Sequence, residues 1–135
     1  MTKAAVVLAA LLLSVFVGRA AAAPSATDPI QGLWKITRGG TGTIAVVPAK
    51  GIFAVVAKSK VRLGCLRLET KDVVGFFERP SRTRLPKGVY SASFGPAGGG
   101  CNYAIRFRRT GSTLVGKVLY SEENQPGGPF TLKRA

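Results

Sequence analysis

The sequence has 135 residues, with 20 Lys and Arg against six Asp and Glu, giving a formal net charge of +14. It contains no His, two Cys and one Trp. A chain of this length is expected to form one domain, and the missing imidazole excludes metal sites, triads and general bases built on His.

The N-terminus starts with Lys3 in a charged position, and residues 4–17 are apolar apart from Ser14, with small residues following at 20–23. This is the layout of a secretory signal peptide. The apolar run falls short of the ~20 residues that span a bilayer. A cut after Ala22 is expected, leaving residues 23–135 as a single mature domain that is secreted or periplasmic and not an integral membrane protein. Loss of Lys3 and Arg19 lowers the basic count from 20 to 18 and the net charge from +14 to +12. In an oxidising compartment the pair Cys65 and Cys101 is expected as a disulfide.

From residue 33 onward the pattern is β throughout. Short apolar stretches, each ended by Gly, Pro, Ser or Asn, predict strands at 33–38, 43–47, 52–58, 61–69, 73–79, 89–94, 102–109, 114–121 and 130–134. The clearest alternation sets Tyr103, Ile105 and Phe107 inward against Ala104, Arg106 and Arg108 outward. The next strand is expected to turn Leu114, Gly116, Val118 and Tyr120 to one face and Lys117 to the other. Thr110, Gly111 and Ser112 suit a hairpin between the two. The segment 79–88, with two Pro, is expected as an extended loop with room for one turn of helix. These strands imply a single antiparallel up-and-down β-barrel of about 8 strands, because closure removes exposed edges.

Gly32, Leu33 and Trp34 open the first strand, and the meander ends on Phe130, Thr131, Leu132, Lys133 and Arg134. This resembles the calycin group of small barrels, which includes the lipocalins and avidins. The resemblance implies that Trp34 closes the barrel floor and that Arg134, or else Arg106, packs across it. The chain is shorter than a typical lipocalin and lacks that family's Thr-Asp-Tyr element. Its single Trp departs from the several that line an avidin biotin site.

The search for chemistry mostly closes doors. Without His, a nucleophile would need Lys, Asp or Glu as its base, and no Lys lies in an apolar run that forces burial. The six acids, Asp28, Glu69, Asp72, Glu78, Glu122 and Glu123, lie beside basic residues or at loop ends and read as surface. Residues 122–125 lack the spacing of a calcium loop. The glycine clusters at 39–42 and 98–100 lack the Lys-Ser/Thr of a phosphate loop. No catalytic residue, metal site or cofactor is expected, and the protein is read as non-enzymatic.

Charge remains. Lys58, Lys60, Arg62, Arg67 and Lys71 form one basic region, and Arg79, Arg82, Arg84 and Lys87 form a second, in the Pro-flanked loop. Arg106, Arg108 and Arg109 form a third, the first two on one strand face about 7 Å apart. The second and third are candidate anion-binding groups. Sequence-specific reading of nucleic acid is not expected, since aromatics are not interleaved with the basic clusters. Two functions remain open. The leading one is a lipocalin-like barrel for a small apolar ligand, lined by Trp34, Phe53, Tyr103, Ile105 and Phe107. The alternative is a basic surface protein that binds acidic polysaccharide, anionic lipid or nucleic acid.

Overall fold

The computed structural model describes residues 28–96, 99–121 and 129–135. The expected leader and the turn at 122–125 lie outside the described residues. Eleven strands follow in order: β1 (Gly32–Arg38), β2 (Gly40–Thr41), β3 (Thr43–Ala49), β4 (Ile52–Ala57), β5 (Val61–Leu63) and β6 (Leu66–Leu68), then β7 (Val73–Glu78), β8 (Val89–Phe94), β9 (Tyr103–Thr110), β10 (Thr113–Ser121) and β11 (Phe130–Arg134). Eight of them close into an antiparallel barrel in the order β1-β11-β10-β9-β8-β7-β4-β3, with β3 pairing back to β1. The predicted all-β barrel is therefore present. The loop after β7 holds one turn of 3₁₀ helix at Pro80–Arg82. Among the described residues no helix is long and apolar enough to cross a membrane.

Period-two alternation fills the interior. Trp34, Ile36, Phe53, Val55, Phe77, Phe94, Tyr103, Ile105, Phe107, Leu114, Phe130 and Leu132 all belong to one buried cluster. The rings touch one another. Phe77 stacks on Phe107 with centroids 5.4 Å apart and meets Phe94 edge-on at 5.8 Å, while Tyr103 meets Phe130 at 5.5 Å. Gly116 makes room for this, because a Cβ there would lie 2.5 Å from the Phe107 ring. Such contacts are the close packing expected of a filled core.

The stretch at 61–69, expected as one strand of the meander, is instead a hairpin outside the barrel. β5 and β6 pair with each other, and β5 also pairs with β2, in a separate three-stranded sheet. The turn is Gly64–Cys65, with Gly64 at φ +58°, where a Cβ would also lie 2.2 Å from Tyr103 Oη. Only glycine satisfies both the left-handed backbone and that approach. The apolar face of this flap, Val61, Leu63 and Leu66, is buried in the barrel's own core cluster. The flap thus plugs the end of the barrel at which β1 finishes. The Cys65–Cys101 disulfide, with Cα atoms 5.9 Å apart, ties it to the segment entering β9. Tyr103 Oη accepts a hydrogen bond from Cys65 N–H at 2.9 Å and donates to Cys65 Sγ at 3.2 Å.

The opposite end is closed by cations lying flat on rings. Arg134 stacks over Trp34 at 3.9 Å and donates to the carbonyls of Gln31, at 2.7 Å, and of Pro29. Trp34 Nε1 donates to Ile30 O at 2.8 Å. Arg79 stacks over Phe53 at 4.2 Å and donates to Ile52 O at 3.0 Å and Ala49 O at 2.7 Å. Each contact joins a delocalised charge to a ring face while its N–H groups donate to backbone carbonyls.

A candidate anion-binding face on β9 and β10

Outward positions on β9 carry Arg106 and Arg108, both exposed and alternating with the buried Ile105 and Phe107. Antiparallel register sets Arg106 opposite Lys117 and Arg108 opposite Val115 on β10. On the other side, β8 places Ser91 opposite Arg106 and Val89 opposite Arg108. The three cations border a shallow groove of about 610 Å³, whose other walls include Val115, Leu119 and Pro129. Lys117 thus stands between the apolar Val115 and Leu119 along β10, with Arg106 and Arg108 beside it on β9.

A bulge shapes the far end of this face. The β9–β10 register shifts between Val118 and Tyr120, which adds one residue to β10. Leu119 and Tyr120 both end up outside, 52% and 63% exposed. The sequence pattern puts Tyr120 on one face with Leu114, Gly116 and Val118. Strict alternation puts it there, and the extra residue reverses it.

The seven candidate anion-binding residues separate into three groups. Arg106 and Arg108 share the groove face. Arg82, Arg84 and Lys87 are exposed in the loop after β7. Arg79, which the sequence groups with the loop cations as a candidate anion ligand, instead has its guanidinium taken up by Phe53, Ile52 and Ala49. Arg109 is also drawn inward: Nη1 donates to Gly111 O at 3.1 Å, and Nε is buried without a hydrogen-bond partner. Arg109 lies by a small cavity of about 130 Å³ that Asp28, Lys87 and Tyr90 also line. There Tyr90 Oη donates to Asp28 Oδ1 at 2.7 Å. Burial, followed by that hydrogen bond and the Asp28 charge, pushes the Tyr90 phenol up to about 12, with Arg109 pulling the other way.

The five candidate lining residues, Trp34, Phe53, Tyr103, Ile105 and Phe107, are all at most 2% exposed and lie inside the barrel. Trp34 and Phe53 sit beneath Arg134 and Arg79, and the other three meet neighbouring side chains of the same core. Among the described residues, no three His, Cys, Asp or Glu side chains are grouped as a metal site would need.

Sequence reasoning missed a set of like charges that face each other across strands. Besides Arg106 and Lys117, the register opposes Lys35 to Lys133 between β1 and β11, and Arg62 to Arg67 across the flap hairpin. The first two pairings depend on register, which no local pattern reveals. The third had a signal: Val-Arg-Leu and Leu-Arg-Leu mirror each other about Gly64 and Cys65. Comparison with protein families, curated proteins and solved structures finds no match to this chain.

Proposed function

We propose that the protein is a non-enzymatic binding barrel that works through its outer surface and holds a polyanion on the β9–β10 face. The opposed pair of Arg106 and Lys117, with Arg108 beside it on the groove, carries this reading. Like charges directly opposite each other weaken a sheet, and a negatively charged partner relieves the repulsion. The β spacing of about 7 Å between alternate side chains suits successive phosphates or sulfates. Ring-on-ring packing inside, with one end plugged and the other capped, directs the proposal away from an interior apolar ligand. The Trp34–Arg134 stack supports a calycin-type ancestry for the barrel. The disulfide favours action in an exported, oxidising setting.

Retention on a sulfated-polysaccharide column tests the reading. The protein is expected to elute at higher salt than basic control proteins of equal net charge. Elution together with those controls would leave only bulk charge and remove the proposed site.

A further inference from the structure

The β9–β10 face joins two features that bulk polyanion binding does not need. Its cations border a groove walled by Val115 and Leu119, and a bulge turns Tyr120 out to solvent beside Leu119. Val115 is 46% exposed, Leu119 52% and Tyr120 63%. Without the extra residue, alternation would return Tyr120 to the core. Exposed aliphatic side chains lack the π face on which successive bases of a single strand stack. They do partition into the boundary between head groups and acyl chains, where a Tyr also sits well with its ring half wet. Arg106, Arg108 and Lys117 lie beside them, positioned for lipid phosphates in the layer above.

We propose that this face docks on an anionic lipid bilayer, with Leu119 and Tyr120 entering the interfacial layer and Arg106, Arg108 and Lys117 neutralising head-group phosphates. The inference rests on the polyanion reading of the same face and narrows its partner to a membrane surface. Charge complementarity selects that partner, since the cations alternate with and flank the apolar residues, so phosphates and acyl-chain boundary can be met by one face. A nucleic acid would want a row of aromatic planes, and of the exposed apolar side chains on β9 and β10 only Tyr120 is aromatic.

Sedimentation with lipid vesicles provides the test. The protein is expected to pellet with phosphatidylcholine vesicles that contain one-third phosphatidylglycerol and to stay in solution with phosphatidylcholine alone. The Leu119→Ser/Tyr120→Ser variant changes only exposed side chains. It is expected to lose about tenfold in vesicle affinity while keeping its elution position on the sulfated column. The Arg106→Gln/Lys117→Gln variant is expected to weaken both, by about fivefold per charge on vesicles. A thermal melt of each variant confirms folding. Full vesicle binding by the Leu119/Tyr120 variant would overturn the insertion. Retention on the column without vesicle binding would overturn the lipid assignment and leave the polyanion reading standing. Early elution from the column would remove both. Tighter binding to a single-stranded oligonucleotide than to vesicles, lost in Tyr120→Ser, would make the partner a nucleic acid.

Discussion

Trp34 and Arg134 show how one side chain can finish a barrel. The indole is fully buried, yet its N–H reaches Ile30 O, and its outer face is covered by a guanidinium anchored to two carbonyls of the entering chain. A Lys at 134 would supply charge without the planar fork that stacks and donates together. Tyr90, at the same end, offers a titratable probe of how that end is built. Its phenol is pushed up to about 12 by burial first and by Asp28 second. An unfolded Tyr ionises near 10, so between about 10 and 12 the unfolded chain releases a proton that the folded chain keeps. Stability from this group is full below 10 and is lost as pH rises through that window. Ultraviolet titration is expected to show a phenolate step near 12 that disappears in Tyr90→Phe, together with a flatter alkaline loss of stability in that variant. A wild-type titration complete by pH 10 to 11 would contradict the buried hydrogen bond.

The flap of β5 and β6 is the element that turns an open-ended barrel into a plugged one, and one disulfide adds a covalent tie to its pairing with β2 and its apolar contacts with the core. The cysteines are 36 residues apart, for which loop closure contributes about 3–4 kcal/mol. Cys65→Ser/Cys101→Ser is expected to lower the unfolding free energy by about that much in a urea titration. Amide exchange is expected to quicken first at Val61, Leu63 and Leu66 and to stay slow in β8 and β9. Uniform quickening would mean that the flap and barrel are one cooperative unit. The flap also marks where the sequence stops being readable. Eight barrel strands were legible because each is an apolar or alternating stretch of five or more residues between clear breaks. The piece at 61–69 alternates too, as Val61 and Leu63, then Leu66 and Leu68, so a hairpin and a long strand look alike until the turn at Gly64 is noticed. Tyr120 defeats the same rule through a bulge that has no residue signature of its own. Arg79 looks like any loop cation, because its ring partner Phe53 comes from a strand 26 residues earlier in the chain. The Trp34–Arg134 stack was accessible only through a family resemblance, since it joins the first strand to the last.

At the scale of the whole molecule, the excess of positive charge is organised rather than spread evenly. With +14 on 135 residues some repulsion is unavoidable, but register decides where it concentrates. Among the described residues, three cross-strand positions hold like charges face to face, namely Arg106 with Lys117, Lys35 with Lys133, and Arg62 with Arg67. A surface selected for solubility alone gains nothing from such pairs, because the same charges spaced apart would repel water-borne neighbours equally well. A surface selected for binding gains local field at the cost of stability. Binding and stability should therefore move in opposite directions when one pair is reversed. Lys117→Glu places an acid directly across from Arg106 and is expected to stabilise the fold by about 0.5 kcal/mol at low salt. The gain should shrink at high salt, because the groups are exposed and screened. The same change is expected to bring elution from the sulfated column to clearly lower salt than wild type. Glu introduced in place of Lys87, in the loop after β7, alters net charge equally and serves as the control. Equal shifts in both variants would reduce the column behaviour to net charge. A lower melting temperature for Lys117→Glu would show that the Arg106–Lys117 pair is not strained, and the argument from opposed charges would fall with it.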